Sequence, residues 1–222
     1  MIIPDQIVRS NRRSLSLAVL KSGEVVVKAP LKMKDSIIDK FVLSKQNWLQ
    51  KKLNTINTNL TKFDDIISYK RVMLCGSKMD IVLMPVKKVT LSDGTILFPR
   101  TIIPEKRIRN LKTWLKKFAQ SVIEPRIEML AKQYGLEYNE LKITDTKGRW
   151  GSCNTKGLIC INFRVAMLPH NIIDYILTHE LCHLIEMNHS KMFWNNVLNF
   201  YPNARSARIA LKEYGFLLEL YR

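Results

Sequence analysis

Residues 178–189 have the sequence THELCHLIEMNH, and the rest of the chain is best interpreted as the support for this stretch. The stretch holds three of the four histidines in the protein and the pattern H-E-x-x-H. On a helix, residues four apart lie on one face, so His179 and His183 can bind one metal ion together. Glu180 is the residue after His179, and its carboxylate can take a proton from a metal-bound water. The stretch therefore indicates a catalytic metal site on a helix.

Two residues compete for the role of third ligand, because catalytic zinc usually has three protein ligands and an open position for water. Glu186 lies seven residues after His179, so an unbroken helix would return it to the same face. His189 can reach the metal only if the helix stops first, and Asn188 tolerates the left-handed conformation that ends helices. Ser190 can cap the next helix. We therefore favour His189 as the third ligand and Glu186 as a hydrogen-bond partner of a ligand histidine.

The predicted motif helix is strongly apolar, which places it in the interior of the fold. Buried polar side chains there are costly unless a metal or hydrogen bonds satisfy them. Cys182, between the two histidines, is expected to be a small buried apolar residue rather than a ligand. Pro169 suits the first position of the helix. The apolar residues of the helix are Ile172, Ile173, Ile176, Leu177, Leu184 and Ile185.

Segments with strand-like and helix-like patterns both occur along the chain, which predicts the α+β class. Residues 1–104 are expected to be a β-rich region with one helix. Two strands flank a Ser-Gly turn at 22–23, a helix runs from about 34 to 57, and four short strands lie between 72 and 98. Residues 55–65 are polar and are predicted to be a loop.

Residues 105–222 are expected to form a second region, with helices and strands, that carries the motif helix. A long helix over 105–134 opens it, and Pro125 is expected to kink or divide that helix. Strands at 141–145 and 158–163 precede the motif helix. The two regions together are expected to form one domain.

The composition is that of an ordinary soluble protein, with 46% apolar and 25% charged residues. No apolar run approaches the roughly 20 residues that span a bilayer. Residues 1–13 lack the apolar segment of a signal peptide. We therefore expect a cytoplasmic protein with no membrane partner. The four cysteines form no CxxC pair, which argues against a disulfide framework and a structural zinc knuckle.

The formal net charge is +17, which is large for 222 residues. Such a field favours contact with nucleic acid, anionic surfaces or acidic substrates. The alternative is that the charge only keeps the protein soluble. Nucleic acid therefore stays open as a partner beside a peptide or protein substrate.

The histidine spacing H-E-x-x-H-x5-H equals that of the metzincin peptidases, but two further features of that group are missing. Metzincins carry glycine three residues after the second histidine, where this chain has Glu186. They also need a methionine turn well downstream, and the last methionine here is Met192. A metzincin is therefore excluded.

Several motifs outside the histidine stretch resemble those of the YgjP-like (DUF45) metallopeptidases, a group related to the SprT and WLM zincins. The resemblance covers nearly the whole chain and implies a zincin-like lobe over 105–222. It also implies a zinc-dependent peptidase, with His179, His183 and His189 as zinc ligands and Glu180 as the catalytic carboxylate. The matching pieces are RWGSC at 149–153, INFR at 161–164, LP at 168–169, the H-E-x-x-H pattern, NHS at 188–190, FW at 193–194, AP at 29–30 and the segment 41–48.

The substrate contacts are open to two interpretations. Arg149 and Trp150 are candidates for contacting the substrate, and the alternative is that they serve only as turn and core residues. In zincins an edge strand beside the motif helix commonly pairs with an extended substrate, and by this analogy 158–162 is the candidate strand.

The alternative function is a nucleic-acid-associated binding protein with a structural or vestigial zinc site. A closed structural site would usually recruit a fourth ligand such as cysteine, so Glu180 beside three histidines favours catalysis. A third possibility combines the two, since the SprT relationship suggests a protease that acts on DNA-bound proteins.

Overall fold

The chain divides into two units, Met1–Asp64 and Asp65–Arg222, in the computed structural model, which describes residues 1–20 and 23–221. Helices and strands occur in both units, which confirms the α+β class. The second group of strands, which we placed with residues 1–104, lies in the second unit. Among the described residues, every helix is too short or too polar to span a bilayer.

The first unit is a three-stranded sheet with two helices. Its strands are β1 (Gln6–Ser10), β2 (Ser16–Val19) and β3 (Val25–Pro30), in the order β1-β3-β2. β2 and β3 pair antiparallel, which confirms the predicted hairpin, although Lys21 and Ser22 of its turn lie outside the described residues. The core of the unit consists of Val25, Val27, Ala29, Ile38, Val42 and Leu49.

The helices of the first unit differ from the prediction in two ways. The predicted single helix is divided at Lys45 into α1 (Asp35–Ser44) and α2 (Gln46–Lys62). The predicted loop at 55–65 is wrong, because α2 continues to Lys62. Polar residues are tolerated there because three threonine hydroxyls donate hydrogen bonds to the carbonyl oxygens four residues earlier. The pairs are Thr55–Lys51, Thr58–Asn54 and Thr61–Asn57.

The second unit begins with a four-stranded sheet. A single helical turn, α3 (Asp64–Ile67), stands where the units divide. The strands are β4 (Arg71–Leu74), β5 (Ser77–Met84), β6 (Thr90–Ser92) and β7 (Thr95–Pro99), in the order β4-β5-β7-β6. β6 and β7 pair antiparallel and form a hairpin. Asp93 and Gly94 both have positive φ there, at 44° and 71°, as this tight turn requires.

The long helix α4 (Pro104–Tyr134) packs against the motif helix, the strand Glu140–Thr144 and the 3-10 segment over Phe163–Met167 in the second unit. Pro125 lies inside it and does not divide it. α4 ends at Gly135, which has the left-handed φ of 65° that favours glycine. Its buried face repeats with helical spacing and consists of Leu111, Leu115, Ala119, Ile123 and Ile127.

A second sheet carries the motif region. Its strands are β8 (Glu140–Thr144), β9 (Gly151–Cys153) and β10 (Leu158–Asn162), in the order β8-β10-β9. A 3-10 segment over Phe163–Met167 then leads to α5 (His170–Cys182). Pro169 is the N-cap of α5, so the helix begins one residue later than predicted. The chain closes with α6 (Lys191–Phe200), α7 (Ala204–Leu211) and a 3-10 segment over Lys212–Glu219.

Two ion pairs hold these elements together. Arg126 of α4 binds both carboxylate oxygens of Asp174 in α5, at 2.6 and 2.5 Å. Arg164 is fully buried, donates to Asp145 Oδ1 at 2.6 Å, and also donates through Nε to the Leu220 carbonyl oxygen at 2.9 Å. A bidentate or multiply bonded arginine satisfies its buried charge in this way. The second network thereby attaches Leu220 to Asp145, which follows β8, through the 3-10 segment that precedes α5.

Candidate active site

α5 supplies two of the three histidines of the motif, at its end. His179 lies within the helix, whereas His183 is the residue just after the last helical one. The helix therefore ends at Cys182, whereas we predicted that it would end at Asn188. The His183 N–H donates to the Glu180 carbonyl oxygen, three residues earlier, at 3.2 Å, which is the tighter turn common at helix ends.

His189 is placed by the start of the next helix. The Ser190 hydroxyl accepts a hydrogen bond from the Phe193 N–H at 3.2 Å and caps α6, as predicted. His189 directly precedes this cap, so its ring turns back towards α5. One potential ligand atom from each of His179, His183 and His189 lies within 4.8 Å of the others. The structure therefore brings together the three predicted histidines.

The distances within the cluster fit a divalent metal. The Nε2 atoms of His179 and His189 are 3.1 Å apart. Two ligands at 2.0–2.1 Å from a tetrahedral zinc ion would be separated by about 3.3 Å. His183 Nδ1 lies 3.1 Å from the Glu186 carbonyl oxygen, so this nitrogen carries the proton and Nε2 keeps its lone pair for a metal.

Glu186 supports the cluster through its backbone and not through its carboxylate. Its carbonyl oxygen accepts the hydrogen bond from His183, while its Oε1 accepts one from the Asn188 N–H at 3.2 Å. The carboxylate thus shapes the loop that leads to His189. Cys182 is fully buried, which raises the pKa of its thiol to about 12, and it is outside the histidine cluster.

Burial favours the neutral form of His179 and His183, which is the form that binds a metal. The pKa of His179 is lowered to about 3, first by burial and then by the charges of His183, His189 and Arg208. Burial also lowers the pKa of His183. Because metals bind the unprotonated imidazole, protons would not compete for these two nitrogens at neutral pH.

Glu180 is buried against the edge of a strand. Its side chain is 6% exposed, and burial raises the pKa of the carboxyl to about 8, although the charge of Arg149 opposes this shift. A β-carbon at position 151 would lie 2.6 Å from Glu180 Oε1 and 2.8 Å from its Cδ and Cγ. The carboxyl group of Glu180 therefore rests on the backbone of Gly151, in β9, where only glycine leaves room.

Two aromatic residues of α6 form one wall of the site. The ring centroid of the fully buried Phe193 lies 4.5 Å from that of His183, 4.8 Å from that of His189 and 4.9 Å from that of His179. Trp194 lies 5.7 Å from His179 and 5.9 Å from His189. Contacts on this scale limit the rotation of the imidazole rings and account for the Phe-Trp pair of the sequence.

Arg149 and Trp150 are anchored through their carbonyl oxygens. Asn162 donates from Nδ2 to the Arg149 oxygen at 3.1 Å and from its backbone N–H to the Trp150 oxygen at 2.8 Å. The Arg149 side chain is exposed and near enough to Glu180 to influence its pKa. The contact of these two residues with substrate stays a prediction.

The strand at 158–162 was the wrong candidate for pairing with a substrate. It is β10, which has β8 on one side and β9 on the other, so both rows of its backbone groups are already paired. β9 is the edge strand, with no partner on its outer side among the described residues. Since Trp150 and Asn154 bond inwards, the N–H and C=O groups of Gly151 and Cys153 point to the open edge.

Comparison with known protein families gives a match over most of the chain. A family model described as YgjP-like, metallopeptidase domain, matches residues 13–214. The chain is also similar to a solved structure, the metallopeptidase zymogen of Pyrococcus abyssi abylysin, at 28% identity. That similarity covers 40% of this chain and 93% of the other, with a TM-score of 0.37. No curated protein matches the chain significantly.

Proposed function

This chain belongs to the YgjP-like metallopeptidase family, and we propose that it is a zinc-dependent peptidase in which Glu180 is the general base. The observation that carries the proposal is the pairing of three converging histidines with one buried carboxylate. A structural zinc site would normally have four protein ligands. Within the described part of the chain, the cluster contains three, which favours catalysis over a structural or vestigial role.

The histidines His179, His183 and His189 would hold the metal. Zinc bound there would lower the pKa of a coordinated water to about 7 and polarise the substrate carbonyl. Glu180 would accept a proton from that water through its carboxylate and later donate it to the leaving amine. Its buried position over Gly151 keeps the carboxylate oriented and away from bulk water.

The open edge of β9 supports an extended peptide as the substrate. A peptide that adds to this edge would use the free backbone groups of Gly151 and Cys153, next to Glu180. Arg149 is exposed at the same end and would contact the bound chain. Such backbone pairing contributes affinity for an extended peptide, and any preference for particular side chains must come from other residues of the site.

The metal assignment is tested by zinc analysis and reconstitution. We expect one zinc ion per chain, loss of peptide cleavage after chelation, and recovery when zinc is returned. His189→Ala should weaken zinc binding by about 100-fold or more, because it removes one of three ligands. Stoichiometry is measured by elemental analysis after dialysis against micromolar zinc.

An exposed histidine outside the cluster, His170, provides the matched control, and His170→Ala should keep full zinc content. A protein without stoichiometric zinc, in which His189→Ala changes nothing, would contradict the ligand assignment.

A second candidate function, association with nucleic acid, is favoured by a basic cavity between β6 and α4. The cavity has a volume of about 530 Å³ and contains Lys87, Lys88, Lys117 and Trp114 in its wall. None of the three lysines forms an ion pair with another described residue. Lysines beside an accessible indole can bind phosphates and stack on a base, as single-strand binding sites do.

Salt dependence tests this second candidate. We expect wild-type affinity for a single-stranded oligonucleotide to fall steeply with salt. Changing Lys87, Lys88 and Lys117 together to glutamine should reduce the slope of log K against log salt by about 2, at roughly 0.7 per phosphate contact. The slope is measured by fluorescence anisotropy at several salt concentrations.

The control alters Lys45, Lys51 and Lys52 to glutamine, which changes the net charge equally in the first unit. A shallow salt dependence in the wild type, or equal slopes for both triple variants, would exclude this cavity as a nucleic-acid site.

A further inference from the structure

A smaller cavity lies between α6 and α7, beside the histidine cluster. Its volume is about 210 Å³, and its wall consists of Trp194, Leu198, Ala204, Arg205 and Arg208. Trp194 belongs both to this cavity and to the aromatic wall of the metal site. Trp194 therefore separates the cavity from the histidine cluster by the width of one indole ring.

Arg208 lies over the indole ring of Trp194 in the wall of the cavity. Its guanidinium carbon lies 4.7 Å from the centroid of the Trp194 ring. A guanidinium that stacks by its face on an indole keeps the N–H groups of its edge free to bind a carboxylate in a bidentate manner. Arg208 is exposed and has no ion pair with another described residue. It thus presents a positive charge beside the indole that no described residue neutralises.

The lack of an ion pair does not by itself indicate a binding site, because the chain has 36 basic residues and only 19 acidic ones. The position of Arg208 is what distinguishes it. Adding the two ring separations places its guanidinium within about 10 Å of the His179 ring, or roughly three residues of extended peptide. A cation this near a divalent metal repels the metal. An anion bound by Arg208 would offset this repulsion.

We propose that Arg208, stacked on Trp194, binds a carboxylate of the peptide substrate within about three residues of the scissile bond. The proposal rests on the proposed peptidase function and specifies its substrate class. The carboxylate can belong to the C-terminus of a short peptide or to an Asp or Glu side chain, since Arg208 would bind either in the same way. Arg208 is thereby a specificity-determining residue next to the metal site.

The cleavage experiment uses matched peptides around one cleaved bond. One pair differs only in a free or amidated C-terminus, and the others carry Glu or Gln at one of the three positions on either side of the bond. We expect wild-type kcat/KM to be about 10- to 100-fold higher for one carboxylate peptide than for its neutral partner, mainly through KM. Arg208→Gln should reduce this ratio to about 2 or less, and Arg208→Glu should reverse it in favour of a lysine peptide.

Arg109→Gln is the matched control, because Arg109 is an exposed arginine on α4 outside both cavities. It should keep the wild-type ratio. A ratio that depends on amidation identifies the C-terminal carboxylate, and one that depends on Glu against Gln identifies a side chain. The proposal would be overturned if Glu180-dependent cleavage had the same kcat/KM for the carboxylate peptides and their neutral partners. It would also be overturned if the ratio of the two kcat/KM values were equal in wild type and Arg208→Gln. Either result would leave the peptidase function intact.

A binding measurement separates the proposal from the activity. In the zinc-loaded Glu180→Gln protein, the carboxylate peptide should quench tryptophan fluorescence and its amide should bind about 10-fold more weakly. Trp194→Phe should remove the signal, and Arg208→Gln should remove the difference between the peptides. If no peptide is cleaved by the wild type, the peptidase function fails, and this measurement still decides whether Arg208 binds carboxylates. Equal binding of carboxylate and amide would refute the proposal.

Discussion

Glu180→Gln is expected to lower kcat/KM for peptide hydrolysis by about 1000-fold or more, while the protein keeps its zinc and its fold. Glutamine has the shape of the native side chain, so it can occupy the same position over Gly151. It cannot accept a proton, and general acid–base catalysis typically contributes 100- to 10,000-fold. Initial rates on a cleaved peptide and zinc content measure both expectations.

The stability of the metal-free variant provides a second readout. Burial raises the pKa of Glu180 to about 8, whereas the ordinary value is 4.5. The folded state therefore holds the proton more tightly than the unfolded state, so this residue reduces stability as the pH rises from about 4.5 through about 8. Glutamine never ionises. Metal-free Glu180→Gln should unfold at a temperature equal to or above that of the wild type at pH 7, and the difference should be smaller at pH 5.

Glu128→Gln makes the same chemical change at an exposed position of α4 and should leave the rate unaltered. A Glu180→Gln protein that hydrolysed peptides at the wild-type rate would show that another group is the base.

Gly151→Ala is expected to lower kcat/KM by about 100-fold or more, because it displaces the carboxylate of Glu180. The new methyl group would lie 2.6–2.8 Å from three atoms of that side chain. Glu180 is buried and cannot swing into solvent, so either its carboxyl group or β9 must move. Overpacking of this kind typically destabilises a protein by about 1–3 kcal/mol. Thermal unfolding and peptide kinetics measure the two effects.

Gly215→Ala is the matched control, because a β-carbon there meets nothing within 4 Å, and its stability and rate should stay near those of the wild type. The destabilisation by Gly151→Ala should also shrink in a Glu180→Ala background, since the clash is then removed. An unaltered loss of stability in that background would show that the contact with Glu180 is not the cause.

Local spacing explains why the convergence of the three histidines could be predicted. The four-residue interval between His179 and His183 places them on one side of a helix, whichever protein surrounds it. Ser190 signals a helix start through its own hydroxyl, and that start positions His189. The end of α5 was predicted six residues too late. Its last turn is tightened by backbone hydrogen bonds, such as that from the His183 N–H to the Glu180 carbonyl oxygen, which no side chain in the sequence indicates.

Other features depend on contacts between distant parts of the chain. Gly151 and Glu180 are far apart in sequence, and nothing near either residue indicates that they touch. Arg164 resembles a surface residue in the sequence, yet it is buried because the Leu220 carbonyl oxygen and Asp145 satisfy it. Arg208 likewise joins the site only because α7 packs near Trp194.

The sequence by itself therefore determined the family, through motifs spread along nearly the whole chain, and the α+β class and the convergence of the three histidines, through local patterns. The tertiary structure alone decided which strand has an open edge. Strand order depends on long-range hydrogen bonds, and it placed β10 in the centre of its sheet and β9 at the edge. Tertiary packing also brings Gly151 into contact with Glu180 and Arg208 into contact with Trp194, and the local spacing of the H-E-x-x-H motif encodes neither contact.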